Sequence, residues 1–230
     1  MSPDESGRPP AEIPLEIHLE ELRRRCEAVA RVQGGSTHYL EEIRIFREYA
    51  GERGLRYPPG LPDPLTRPPD DEGNEHQVWF QRATNTYLKV TWPDFFGLLV
   101  LHRPDEDERA SPVAYLERWQ LHNELFGDNV RFVGTIEDAG KLRMVIEQGA
   151  IEGLPATVAQ IEEFFTSNGW KRFTANGEIA FFDPARKVVI SDTHRGNLIM
   201  MEDGLLAPID LRVQTLDGAL LDYVVKACAE

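Results

Sequence analysis

The sequence predicts an α+β protein, and three observations carry that expectation. In the first quarter of the chain, apolar residues recur at intervals of three and four, the period of one helical face. Further on, short runs of aromatic and β-branched residues alternate with Asn, Asp and Gly turns, as strands do. Between those runs, two segments open on proline, keep helical spacing and close on glycine.

Residues 1–13 are polar and proline-containing and are expected to stay disordered, because they carry too little apolar surface to offset the entropy of ordering. From 15 to 32, Leu15, Leu19, Leu22, Cys26, Val29 and Ala30 fall on one helical stripe, which Gly34 and Gly35 end. A second helix starts with Ser36 or Thr37 as its N-cap, turns Leu40, Ile43, Ile45, Phe46 and Tyr49 toward a core, and stops between Gly51 and Gly54. The pair makes a helical hairpin over 14–56.

The stretch 57–74 holds Pro58, Pro59, Pro62, Pro64, Pro68 and Pro69, which rule out helix or central strand and make it a linker or lid. Residues 75–92 read as an antiparallel hairpin about Ala83-Thr84-Asn85. A helix from Pro112 to Phe126 carries Tyr115, Leu116, Trp119, Asn123 and Phe126 along its stripe and ends at Gly127. Strands follow at 130–136 and 141–148 around the turn 137–140, then a helix over 155–169 opened by Pro155. The remainder gives strands near 178–182, 187–191, 197–201 and 205–209 and a final helix over about 216–228. No internal repeat is present.

With 230 residues and 41% apolar content the chain can build a real core. Its formal charge of −14 repels phosphate backbones and anionic lipid, so nucleic acid and membrane surfaces are not expected as partners. Cys26 and Cys228 form neither a metal-ligand pair nor a framework, which suits two thiols in a reducing compartment. No apolar run is long enough to span a bilayer, and the acidic, proline-containing start lacks the pattern of a signal peptide. The expectation is a cytoplasmic protein.

The stretch 190-ISDTHRGNLIMMEDGLLAPIDL-211 carries the chemistry. Phosphoryl transfer needs an acid that accepts a hydroxyl proton and oxygen ligands that hold Mg²⁺ against the phosphates. Asp192 suits the first task, Asn197 and Asp210 the second. A hairpin of 197–201 with 205–209 would bring Asn197 and Asp210 together at its open end. Each residue also has a plainer role, since Asp and Asn are ordinary turn formers and Asp210 can cap a strand. His194 and Arg195 could meet a phosphate or face water. Lys89, between Leu88 and Val90, is the candidate cation for the phosphates, its alternative being an edge-strand lysine in solvent. A buried lysine needs a carboxylate, for which the helix 112–126 offers Glu117 and Glu124, Glu117 being preferred for its position and a solvent-facing glutamate being the alternative. Chain from Met144 to Gly153 reads as a connector whose backbone at Glu147, Gln148 and Gly149 can meet an adenine edge.

In this order the residues resemble the protein-kinase-like superfamily. More closely, 74-NEHQVWF-80, 86-TYLKVTW-92, 115-YLERWQLHNELFGD-128, 147-EQGAIEG-153 and 208-PID-210 resemble the kinase-like domain of phage and mobile-element polyvalent proteins, over about residues 36–216. The resemblance implies a two-lobed protein-kinase-like fold with a reduced C-terminal lobe, preceded by the helical hairpin, with an N-lobe over about 75–148 and a C-lobe over about 149–230. It implies ATP with Mg²⁺ and transfer of the γ-phosphate to a hydroxyl-bearing acceptor, protein or small molecule. Asp192 would be the base, Asn197 and Asp210 the metal ligands and Lys89, held by Glu117, the phosphate anchor. Glu147, Gln148, Gly149 and Ile199 join Lys89 on the nucleotide.

The sequence departs from the kinase pattern in several places. No G-x-G-x-x-G loop precedes Lys89, with only Gly73 near, and no His-Arg precedes Asp192. Tyr87 shares a strand face with Lys89, where a small side chain usually admits adenine. The twenty residues after Asp210 are too few for the helical subdomain that grips a protein substrate. Two alternatives therefore stand beside the enzyme: a pseudokinase-like module that docks a partner on the helical hairpin, and a small-molecule kinase resembling the aminoglycoside and choline phosphotransferases.

Overall fold

A computed structural model describes residues 13–33, 38–57, 64–104 and 106–229. The chain is α+β. Its elements, in order, are α1 (Leu15–Gln33), α2 (Tyr39–Glu52), β1 (Asp71–Glu72), β2 (His76–Gln81), β3 (Thr86–Thr91), α3 (Pro112–Phe126), β4 (Arg131–Asp138), β5 (Lys141–Gly149) and β6 (Leu154–Pro155). Then come α4 (Val158–Ser167), β7 (Lys171–Ala175), β8 (Glu178–Asp183), β9 (Val188–Ser191), β10 (Leu198–Met200), β11 (Leu206–Pro208), β12 (Arg212–Thr215) and α5 (Gly218–Ala227). They divide into two compact units. One contains the chain to Gly97, Arg109–Gln120 and Asp128–Ala150; the other contains Leu98–Glu108, Leu121–Gly127 and Ile151–Glu230.

The first unit is built on a five-stranded antiparallel sheet in the order β1-β2-β3-β5-β4. Alternation along β3 sends Leu88 and Val90 to one face, where they pack with Trp79, Val133 and Val145. The other face, with Phe132, Met144 and Ile146, packs on α1, α2 and the first half of α3. Leu15, Leu19, Leu22 and Cys26 of α1 and Ile43, Phe46 and Tyr49 of α2 are all buried in that core, as their spacing requires. The apolar faces that the hairpin would offer to a partner are thus spent on its own sheet.

Several local expectations change. Leu40 is 76% exposed instead of buried; in the first turn of α2 it is Tyr39 that packs against the core. The N-cap of α2 is His38, which makes no side-chain cap bond; Ser36, Thr37, Gly34 and Gly35 lie outside the described residues, as do residues 1–12. Of the proline-rich stretch, 64–74 is described. It buries Leu65, its Arg67 carbonyl accepts the Trp79 indole N–H at 2.9 Å, and β1 adds an edge strand.

The second unit holds a four-stranded antiparallel sheet, β12-β9-β8-β7, and a three-stranded one, β11-β10-β6. One face of the larger sheet, with Phe181, Ile190 and Val213, packs on α4 and on Leu121, Leu125 and Phe126. The other face, with Ala180, Phe182 and Val189, packs on α5 and on Val100 and Leu101. Helix α4 begins at Val158 and not at Pro155, which lies in β6. Its start is fixed by a capping box: the Gln160 N–H donates to Thr157 Oγ1 at 3.3 Å, and the Thr157 N–H donates to Gln160 Oε1 at 2.9 Å. Strands β7 and β12 do not stand out in the sequence because they are the two edges, half-polar and carrying Lys171, Arg172 and Arg212. Close backbone approach fixes Gly153, since a Cβ there would lie 2.3 Å from the Met200 carbonyl oxygen where β6 pairs with β10.

No described helix is long and apolar enough to cross a membrane.

Candidate functional site

Lys89 sits on β3, the centre of the first unit's sheet, paired between Val78 and Ile146. It is 6% exposed, so it is not an edge lysine in solvent. Its Nζ lies 5.0 Å from the centre of the Trp119 ring, a cation–π contact. The same ring takes the Arg118 guanidinium at 5.1 Å, and Arg118 forms a buried ion pair with Glu75. Beside them the His76 ring nitrogen Nε2 bonds the Tyr115 hydroxyl at 2.9 Å. Gly97, at a φ of +84°, makes room for the pair, because a Cβ there would meet the Glu75 carboxylate at 2.8 Å.

Helical spacing explains which α3 residues meet this network. Tyr115, Arg118 and Trp119 share the buried face at intervals of three and four. Glu117, two residues from Trp119, projects to the far side of the helix, where it accepts from Arg23 at 2.8 Å. Glu124 is exposed. The carboxylate buried in this neighbourhood is therefore Glu75. Sequence reasoning passed over it, although Glu75 and Arg118 both stand inside the blocks that carry the family resemblance. A charged residue on the apolar stripe of α3 was the available signal.

Tyr87 lies opposite Phe80 in the β2–β3 ladder, and their rings pack at 5.0 Å. On β5, Glu147 is buried and accepts from Arg131 and, at 3.0 Å, from the Gln81 amide. Gln148 is buried and donates to Asp128. The β4 ladder starts at Arg131 opposite Glu147, whereas the β3 ladder continues to Thr86 opposite Gly149. Gln148 and Gly149 thus have a strand neighbour on one side only, leaving the other edge of their backbone outside the sheet.

In the second unit, the loop after β9 places Asp192 at a φ of +61°, a left-handed conformation that costs an L residue energy and that Asp tolerates better than most. The Asn197 amide donates to the Asp192 carbonyl at 2.9 Å and braces it. Asp192 Oδ1 lies 3.3 Å from His194 Nε2, and its Oδ2 lies 3.9 Å from Arg212 Nε. Strands β10 and β11 form the antiparallel pair that the sequence suggests, Leu198 opposite Pro208 and Met200 opposite Leu206. At its open end the Ile209 N–H donates to the Asn197 carbonyl at 2.8 Å, and Asp210 is the next residue along the chain. Ile199 faces Ala207 on one side and Pro155 on the other. Arg195 is turned back onto the Ala156 carbonyl at 3.3 Å.

The family described as serine/threonine/tyrosine kinase found in polyvalent proteins matches residues 41–216, and the chain belongs to that family. Searches of curated proteins and of solved structures gave no match.

Proposed function

We propose that the protein is an ATP- and Mg²⁺-dependent phosphotransferase with the two-lobed protein-kinase-like architecture and a reduced C-terminal lobe, and that it moves the γ-phosphate of ATP to a hydroxyl acceptor. The observation that carries the reading is the β10–β11 hairpin, where the Ile209 N–H bonds the Asn197 carbonyl while Asn197 holds the Asp192 backbone. Those two bonds support reading Asp192, Asn197 and Asp210 as one site. The sheet order of the first unit, with Lys89 at its centre, and the one-sided edge at Gln148 and Gly149 support it as well.

In this reading Asp192 accepts the proton of the acceptor hydroxyl as its oxygen bonds to the γ-phosphorus and the bond to the β,γ-bridging oxygen breaks, releasing ADP. Lys89 holds phosphate oxygens, and its packing on Trp119 fixes its direction. The Gln148 and Gly149 backbone takes the adenine edge, and Ile199 contributes an apolar contact. Asn197 and Asp210 would hold Mg²⁺: both are oxygen donors, and Asn197 spends its N–H on Asp192, which leaves Oδ1 for a cation. Bound there, the ion would neutralise charge developing on the phosphates.

A second reading, a pseudokinase-like binding module, is favoured by the β2–β3 turn at Arg82–Asn85, which has no glycine. A thermal titration separates the two. A nucleotide that binds only the folded chain at 100 times its Kd adds about 2.7 kcal/mol, which in a chain of this size raises the midpoint by roughly 5–10 °C. That rise is expected with Mg-ATP, is expected to vanish with EDTA, and is expected to fall by more than half in Lys89→Met. A flat titration would remove the nucleotide reading.

A further inference from the structure

One side chain of the loop between β9 and β10, His194, takes no role in the proposed reaction. It opens a turn that the Asn197 N–H closes by donating to the His194 carbonyl at 3.0 Å. The turn folds the imidazole back over its own backbone, so that the Gly196 N–H donates to Nδ1 at 3.0 Å. A side chain at 196 would crowd the ring, its Cβ lying 3.0 Å from Cε1 and 3.2 Å from Nδ1. The two neighbours of His194 are engaged elsewhere. Thr193 Oγ1 reaches the Ile179 carbonyl at 3.4 Å, and Arg195 is the residue turned back onto Ala156. Of the three side chains, the imidazole is the one that stands at the Asp192 carboxylate.

The bond from Gly196 decides which ring nitrogen carries the proton. A backbone N–H can only donate, so Nδ1 is the bare, accepting nitrogen and the proton of the ring sits on Nε2. Nε2 is the nitrogen that lies 3.3 Å from Asp192 Oδ1. The loop thus turns a fixed N–H toward the candidate base. At 3.3 Å the contact is longer than the best N–H···O bonds, as contacts to a catalytic carboxylate often are before substrate arrives. The other oxygen, Oδ2, has Arg212 Nε at 3.9 Å. Asp192 lies one residue past the end of β9, so no ladder aims its side chain. The contacts of the loop do that instead, Asn197 at the backbone and His194 at the carboxylate.

We infer that His194 is a positioning residue for Asp192: its ring, with the proton on Nε2, holds the carboxylate in the direction from which it takes the proton of the acceptor hydroxyl. This inference rests on the phosphotransfer reading. His194 keeps its own proton throughout. The hydroxyl proton passes to Asp192, whose carboxylate oxygens have two lone pairs each, so a donor at Oδ1 leaves others open. The ring serves the carboxylate and not the phosphates, and Gly196 serves the ring.

The test uses the full chain and a small set of variants. His194→Gln can place an amide N–H where Nε2 stands, His194→Ala has no donor, and Gly196→Ala crowds the ring; the double variant joins the last two. The His194 side chain is 61% exposed, so the fold does not depend on it, and circular dichroism checks each variant. Release of labelled phosphate from γ-labelled ATP with Mg²⁺ gives kcat and KM, and calorimetry gives the nucleotide Kd. In His194→Ala, kcat is expected to fall about 10- to 100-fold with KM and Kd within about 3-fold of the wild type. His194→Gln is expected to recover to within about 5-fold of the wild type, and the double variant to be no slower than His194→Ala, because Gly196→Ala acts through the ring. Nitrogen-15 NMR of the imidazoles reads the tautomer without turnover, the His194 signals being those that His194→Gln lacks, and Nε2–H is expected near neutral pH. A proton on Nδ1, a loss that falls on KM or Kd instead of kcat, a Gln variant as slow as the Ala variant, or losses that multiply in the double variant would each overturn the positioning role. A wild type with the expected tautomer and no turnover refutes the phosphotransfer reading instead.

Discussion

Lys89, Trp119, Arg118 and Glu75 show how a charge is kept inside this protein. Two cations share one indole ring, and the only way to hold Arg118 at 4% exposure is to give its guanidinium a carboxylate, which Glu75 supplies. His18 shows the opposite solution. Buried against Tyr49, whose hydroxyl lies 2.6 Å from its Nδ1, it is held neutral: burial first, then the nearby Arg53 charge, lower its pKa from 6.5 to about 4. The unfolded chain therefore binds one more proton than the folded chain between those values. Stability from this residue is complete above pH 6.5 and is lost as the pH falls toward 4. Between pH 7.5 and 5 the loss is about 2 kcal/mol. Urea unfolding at the two pH values should show that loss in the wild type and a clearly smaller one in His18→Asn; equal losses would place the pH sensitivity elsewhere.

At the level of elements, the β6–β10–β11 sheet positions three of the candidate site residues, and a backbone contact sets its packing. Gly153 passes so close to the Met200 carbonyl that any side chain must push β6 away from β10. Gly153→Ala should cost about 2 kcal/mol in urea unfolding, the range of an overpacked core site. A cost below about 0.5 kcal/mol would mean that β6 is free to shift. Helices α1, α3 and α5 and the hairpins β2–β3, β4–β5 and β10–β11 were legible from periodicity and turn residues, because each buries a full face or closes on a short polar turn. The start of α4 was misread since Pro155 looks like a first-turn proline, whereas the capping box at Thr157 and Gln160 decides the boundary. Edge strands β7 and β12 give a weak pattern for the same reason that they are edges: half of each faces solvent.

At the level of the whole molecule, the family was legible because ordered blocks are more specific than any one of them, and the match over residues 41–216 covers those blocks. The partner of each site residue was less so. Spacing in sequence could rank Glu117 against Glu124, but only the azimuth of α3 reveals that Glu117 belongs to Arg23 and that the buried carboxylate comes from Glu75, just before β2. A cavity lined by Glu178, Ser191 and Arg212 was not visible at all, since it is assembled from strands β7, β8, β9 and β12 and the loop around Val100. The claim on which everything else depends is that Asp192 serves phosphoryl transfer. The direct measurement is release or transfer of labelled phosphate from γ-labelled ATP with Mg²⁺, to the protein and to water, in the wild type and Asp192→Asn, with the nucleotide Kd measured in both. Turnover should fall about 10²- to 10⁴-fold in the variant while the Kd stays within about 3-fold. Equal turnover in the two proteins would contradict the assignment.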